Sequence, residues 1–265
     1  MKKISVCIIT FNSEKTLLQC IASIHLQTIR PFEIFVVDQG STDATLHLLK
    51  QRRIRVIKND ENNLAKARNI ALRAARTNYL LFIDHDICLE PEWIRHAVPC
   101  LTSRIIAVGG IVIESDSSSY GRWAKIHLSQ QSARKEYIAG SNFLCITKKI
   151  LSLGGFNTKY KTNYEDVTIS KLIKEQGYRF VTSKKSISHH LKTYTFTTLY
   201  EIHWKYTFYD WPEPNTFRNL LTKLFVNMYI TLKYCFRDKS IFWLNLPLFF
   251  MQSKHDLHYF LKYGR

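Results

Sequence analysis

The chain has 265 residues, 46% of them hydrophobic and 22% charged, which excludes collagen-like, low-complexity and wholly disordered chains. Lys and Arg number 38 against 21 Asp and Glu, a formal charge of +17 that calls for an anionic partner: phosphate-bearing substrates, an acidic membrane surface or nucleic acid. The excess is spread along the chain without a concentrated basic stripe, so nucleic acid is not expected as a partner. The longest uncharged apolar run near the C-terminus, 241–251, contains Asn245 and Pro247 and falls short of the roughly 20 residues of a spanning helix. The six cysteines stand singly with no CxxC pair, which reads as buried thiols in a reducing compartment.

In chain order, Ile4–Phe11 reads as a first strand rather than a leader, being short, β-branched and without a small-residue cleavage site. Asn12 and Ser13 are placed to cap a helix carrying Leu17, Leu18, Ile21 and Ile24. Glu33–Asp38 is a second, nearly all-apolar strand, and Gly40–Asp43 turns into a helix with Leu46 and Leu49. Ile54–Ile57 is a short third strand, Ala65–Ala75 an alanine-rich helix, and Tyr79–Asp84 a fourth strand ending in acids. Strands apolar on both faces, alternating with helices, predict an α/β fold with a mostly parallel sheet. Ligands of such sheets sit at the carboxyl ends of the strands, which directs attention to 10–12, 38–40 and 84–86.

The later elements are strands at Ile105–Ile113, Phe143–Thr147 and Arg179–Thr182, with a helix at Glu165–Gln176 closed by Gly177. Glu114–Gly121 reads as a polar, flexible loop. From about Leu191 the composition shifts: 20 of the 35 aromatic residues fall in the last 75, interleaved with lysines, which predicts two or three amphipathic helices. The run Trp204, Tyr206, Phe208, Tyr209 and Trp211 suits either a small core or a sugar- or membrane-facing belt.

The sharpest chemical feature is Asp84-His85-Asp86 at the end of an apolar strand. In an extended segment the two carboxylates point the same way and can share one hard cation, Mn²⁺ or Mg²⁺, although two acids in a solvated loop would look the same.

With that triplet, the segments ISVCIITFNSEKTL, FEIFVVDQGSTDAT, NLAKARNIAL, YLLFIDHD, GSNFLCITKKILSLGGFN and YEDVTISKLIKEQGYR make residues 3–190 resemble the family 2 glycosyltransferases. The resemblance implies a GT-A fold, a Rossmann-like nucleotide-binding α/β architecture, over 1–190, with a nucleotide-sugar half (1–100) and an acceptor half (101–190). A C-terminal helical, aromatic-rich extension follows at 191–265.

It further implies an inverting transfer of sugar from a nucleotide diphosphate, with UDP as the expected carrier, to a glycan or lipid-linked hydroxyl in cell-surface polysaccharide or lipopolysaccharide synthesis. Mn²⁺ or Mg²⁺ is the implied cofactor. By position, Thr10, Phe11, Asn12, Asp38, Arg68 and Asp84 match donor-binding residues, with Asp38 as the uracil acceptor and Gln39 replacing a second acid. Asp86, Asp84 and His189, of the pair His189-His190, match the metal and diphosphate site. Gly140, Ser141 and Asn142 match the loop beneath sugar and acceptor. Glu165 and Asp166 match the catalytic acidic pair, with Asp166 as the general base that an inverting attack by a hydroxyl requires.

The expected location is cytoplasmic, peripheral at the inner membrane face, with an anionic membrane as a further partner. Two alternatives use the same residues. One is a haloacid-dehalogenase-like phosphatase, disfavoured because Cys88 stands where Thr or Val is usual. The other is a non-catalytic sugar- or nucleic-acid-binding module, disfavoured by the retained acids.

Overall fold

The computed structural model describes residues 2–125, 137–160, 164–207, 216–235 and 242–264. In chain order the elements are β1 (Ile4–Thr10), α1 (Leu17–His25), β2 (Glu33–Asp38), α2 (Thr45–Gln51), β3 (Arg55–Lys58), α3 (Leu64–Ala74), β4 (Tyr79–Asp84), β5 (Ile87–Leu89), α4 (Trp93–Ala97) and β6 (Ile105–Glu114). A helical stretch at 119–125 (α5) follows. Then come β7 (Asn142–Ile146), α6 (Thr147–Ser152), α7 (Glu165–Glu175), β8 (Arg179–His190), α8 (Phe196–Thr207), α9 (Phe217–Cys235) and α10 (Phe242–Tyr263). They form two compact units: Met1–Glu114 with Ser129–Leu191, and Ser115–Leu128 with Lys192–Arg265.

The first unit is built on an eight-stranded sheet of order β3-β2-β1-β4-β7-β6-β8-β5. β3, β2, β1 and β4 are parallel. Beyond β4 the sheet is mixed, because β7 pairs antiparallel with both β4 and β6, and β5 antiparallel with β8. The composition of β1 explains the layering. Ile4, Val6 and Ile8 face one core with Leu17, Cys20, Ile21 and Ile24 of α1, while Cys7 and Ile9 face the other with Ala65, Ala67, Ala71 and Leu72 of α3. Each fully buried Val or Ile contributes about 1.5–3 kcal/mol relative to exposure. α3 starts at Asn63, whose Oδ1 accepts from the Lys66 amide at 2.9 Å, and whose side-chain amide donates to the Thr158 carbonyl at 2.9 Å.

Several features depart from the sequence expectations. Strand β8 runs twelve residues, to His190, where only Arg179–Thr182 was expected. Its buried residues are Ser183, Ser186 and Ser188, and its register against β6 shifts between Gly109 and Ile111, so no alternating apolar pattern marks it. β5 and α4 were not anticipated; they span three and five residues, too short for a periodicity signal. Asn12 does not cap α1, whose first turn is tied instead by the Ser13 carbonyl accepting from Thr16 and Leu17.

In the second unit, the segment expected as a flexible loop enters α5, and Trp123 and Ala124 pack with Tyr194, Leu199, Leu244 and Leu248. The Trp123 indole donates to Asn245 Oδ1 at 2.7 Å. Among the described residues, no helix is long and apolar enough to cross a membrane. Phe208, Tyr209 and Trp211, the side chains of Trp204 and Tyr206, and residues 126–134 of the expected acceptor region lie outside the described residues.

Gly110 of β6 has no room for a side chain: a Cβ there would lie 2.4 Å from Trp93 Nε1 and 2.6 Å from the Ser186 carbonyl oxygen. Gly110→Ala is expected to destabilise the fold by about 1–3 kcal/mol, the usual cost of overpacking. Urea unfolding should show a lower midpoint at an unchanged m-value. An unchanged midpoint would mean that β6 does not pack this tightly against α4 and β8.

Candidate active site

Because β1, β2 and β4 are parallel, their carboxyl ends fall on one edge of the sheet, where the register sets Thr10 beside Asp38 and Ile9 beside Asp84. Asp38 is buried and fully engaged. Its Oδ2 accepts from Thr10 Oγ1 at 2.8 Å and Ser41 Oγ at 2.5 Å, and its Oδ1 from the amides of Gly40 and Ser41. Asn12, in the left-handed region at φ 48°, completes the turn by accepting from the Thr42 amide at 2.8 Å. Asp38 and Asn12 are therefore anchors of the 38–43 turn. Two neighbours flank this turn. Phe11 is exposed, and Gln39 is half-buried with an Oε1 that has no hydrogen-bond partner.

Asp84 closes β4, and residues 85–86 form a turn rather than extended strand. The strand alternation invoked for the two carboxylates thus does not apply, and their approach comes from the turn. Asp86 Oδ2 lies 3.1 Å from His190 Nε2, while His190 Nδ1 lies 3.0 Å from Glu114 Oε2. Burial disfavours a charged His190, but hydrogen bonds and charge from Asp86 and Glu114 outweigh it and push its pKa up to about 10. The histidine expected at Asp86 was His189; the structure places His190 there. Register explains the difference: β8 sets His190 opposite both Ile87 of β5 and Glu114 of β6, and the alternating side chain of His189 goes to Glu90 at 3.1 Å. The carboxylates of Asp84 and Asp86 are donors of the kind Mn²⁺ or Mg²⁺ takes, whereas both ring nitrogens of His190 are committed to Asp86 and Glu114. Among the described residues no group of three or more His, Cys, Asp or Glu is placed to hold a metal ion by itself.

The acids at α7 are joined to this edge by Arg68. Its side chain is 1% exposed, among the rings of Phe82, Phe143 and Phe156 at 5.6–5.7 Å. One terminal nitrogen donates to the Gly140 carbonyl at 2.8 Å; the other lies 3.3 Å from Glu165 Oε1 and 3.8 Å from Asp84 Oδ1. Arg68 is thus neither a solvated helix residue nor open to a nucleotide: it is the buried counter-charge of the acid cluster. Gly140 is required beside it, since a Cβ would stand 2.6 Å from the guanidinium. Burial raises the pKa of Glu165, Arg68 opposes the rise and Asp166 adds to it. The Asp84 pKa is also raised by burial, against the pull of Arg68.

The two members of the acidic pair differ in access. Glu165 is buried, whereas Asp166 is half-exposed, its Oδ2 accepting from the Gly140 amide at 2.9 Å and its Oδ1 from the Val167 amide at 2.8 Å. Ser141 accepts from the Asp84 amide through its carbonyl at 2.9 Å. Asn142 does not point to a ligand. It is buried, donating to Ser188 Oγ and accepting from the Gly110 amide, and so ties β7 to β6 and β8. Residue pattern alone missed Gln39 as a half-buried amide with an unpartnered oxygen and Glu114 as the partner of His190. Only the departure from a two-acid pattern at Gln39 signalled the first.

The profile of glycosyl transferase family 2 matches residues 5–163. A glycosyltransferase named GlyA, from Streptococcus pneumoniae, is 36% identical over 97 residues, covering 35% of this chain and 14% of the relative. The poly(ribitol-phosphate) β-N-acetylglucosaminyltransferase TarS of Staphylococcus aureus is 32% identical over 105 residues, covering 37% of this chain and 18% of TarS. The chain thus spans under a fifth of the length of these two relatives. Among solved structures, residues 1–349 of S. aureus TarS in complex with UDP superpose with a TM-score of 0.56 at 21% identity, covering 76% of this chain and 63% of that one. The Pyrobaculum calidifontis mannosyltransferase in complex with GDP-Man and Mn²⁺ gives 0.58 at 17% identity, covering all of this chain and 76% of that one. These neighbours share the GT-A fold, and the phosphatase alternative falls away. With the family profile spanning β1 to the residues before α7, the chain belongs to glycosyl transferase family 2.

Proposed function

We propose that the protein is an inverting glycosyltransferase that moves a sugar from a nucleotide diphosphate, UDP by preference, to a hydroxyl of a polymeric or lipid-linked glycan. The observation that carries this reading is the division of the acids at one sheet edge. Asp84 and Asp86 stand at the strand end, and the half-exposed Asp166 is held beside Gly140 while Arg68 neutralises its buried neighbour Glu165. The UDP complex of a structural neighbour supports the choice of base, and the poly(ribitol-phosphate) specificity in the TarS name supports a polymer acceptor.

In this reading Phe11 lays its exposed ring against the base. Gln39 meets the edge of the base, donating from its side-chain amide to a base carbonyl. Asp86, with Asp84, would hold a Mn²⁺ or Mg²⁺ ion that neutralises charge on the departing diphosphate, while His190 fixes the orientation of Asp86. Asp166 takes the acceptor proton on a carboxylate oxygen as the hydroxyl attacks from the face opposite the diphosphate. The Gly140 and Val167 amides fix the orientation of that carboxylate, so the base is positioned before the acceptor arrives.

Asp166→Asn should lower kcat by about 10²–10⁴-fold, the usual share of a general base, with donor Kd nearly unchanged. Gln39→Ala should do the reverse, weakening UDP binding by about 3–10-fold for one lost hydrogen bond with kcat at saturating donor preserved. Calorimetric UDP titration beside steady-state kinetics reads both, and loss of donor binding in Asp166→Asn would remove the base assignment. Asp86→Ala should abolish Mn²⁺-dependent turnover and weaken Mn²⁺ binding to the UDP complex by at least about tenfold. Wild-type Mn²⁺ affinity in that variant would place the ion elsewhere.

A further inference from the structure

Helices α9 and α10 bury leucines on one side and expose a second apolar stripe on the other. On α9 the exposed face carries Phe217, Leu221, Phe225, Met228 and Leu232 at helical spacing, with Phe225 63% exposed. On α10 it carries Trp243, Leu246, Phe250, Leu257 and Leu261, with Phe250 61% and Leu261 74% exposed. Beside the buried Leu220, Leu244 and Leu248, the buried residues include an unusual share of polar ones: Lys223 and Asn227 on α9, and Asn245, Gln252 and Asp256 on α10. Lys223 Nζ lies 3.7 Å from Asp256 Oδ1, and the Gln252 amide donates to Asp256 Oδ2 at 3.2 Å. The Asn227 amide donates to the Phe249 carbonyl at 3.4 Å.

A helix pair stabilised in water leaves few large apolar side chains exposed and hydrates its charges. Burying an ion pair brings little net stability, so this arrangement calls for an apolar environment outside the pair. We infer that α9 and α10 form a monotopic membrane element, lying in the interface of an anionic bilayer with their outward apolar stripes inserted among the acyl chains.

Charge selects the lipid surface among the occupants of such a face. The exposed charged residues of the two helices are Arg218, Lys233, Lys254 and Lys262, and their one acid, Asp256, is buried against Lys223. A second copy would bring two all-positive faces together, which disfavours self-association. Anionic headgroups complement them, and Lys254, between Phe250 and Leu257, can lay its alkyl stem along the apolar stripe with its ammonium in the headgroups. The α10 helix is 22 residues long but holds Asn245, Pro247, Gln252 and Asp256, so it lies along the surface and does not span. This inference rests on the second unit alone and is independent of the proposed transfer reaction.

Flotation of the full chain with vesicles tests it. Vesicles of phosphatidylcholine and phosphatidylglycerol should carry the protein at low salt, with at least about tenfold greater partition than phosphatidylcholine alone. High salt should reduce but not abolish that binding, since the inserted apolar stripe is not screened. Phe225→Ser combined with Phe250→Ser should weaken partition by about tenfold or more while the melting temperature holds, because both side chains are exposed. Lys254→Gln with Lys262→Gln leaves the apolar faces intact and should weaken binding to the anionic vesicles alone by about tenfold. Absence of flotation, equal partition on both lipids, or sedimentation as a dimer that the Phe225/Phe250 variant dissociates would each overturn the inference, the last by showing a second copy on this face.

Discussion

The candidate site depends on one buried cation. Arg68 has no access to water, and its charge is balanced by Glu165 and Asp84 and by the faces of three phenylalanine rings. Through these contacts and its bond to Gly140 it joins α3, the end of β4, the turn before β7 and the start of α7. Removing one partner of such a buried pair typically costs about 3–5 kcal/mol, because the charge left behind is neither hydrated nor compensated. Glu165 shows the other side of the balance. Desolvation lifts its pKa to about 7, and Arg68 pulls against that rise without cancelling it.

Around that centre the acids divide by access. Buried Glu165 serves the guanidinium; Asp166, one residue on, is half-exposed and oriented by two backbone amides. Asp38 is consumed by its own turn, whereas Asp84 and Asp86 stand at the sheet edge with His190. Each reachable carboxylate is thus positioned by a neighbour that is itself locked in place, which is the arrangement that makes a site precise enough for chemistry.

The first half of the fold was legible because its strands are apolar on both faces, and β1, β2 and β4 are bounded by the structure almost as the sequence predicts. The strand-end acids were legible for the same reason, since a parallel sheet names its own functional edge. His190 was not, because the choice between adjacent histidines depends on the register of β8 against β6, which shifts between Gly109 and Ile111. Asn142 misled because a polar residue in a loop-like Gly-Ser-Asn run gives no hint of being buried between strands. The tail was readable as amphipathic helices, but the direction of their amphipathicity was not, since periodicity reports that a stripe exists and not which way it faces.

A double-mutant cycle at Arg68 and Glu165 tests the dependence on that buried charge most directly. Arg68→Met alone should lower the unfolding free energy by about 3–5 kcal/mol. Adding Glu165→Gln removes the stranded charge, so the double variant should lose at least about 1 kcal/mol less than the sum of the two single losses. Additivity to within about 0.5 kcal/mol would show the two side chains to be uncoupled and would contradict the central place given to Arg68.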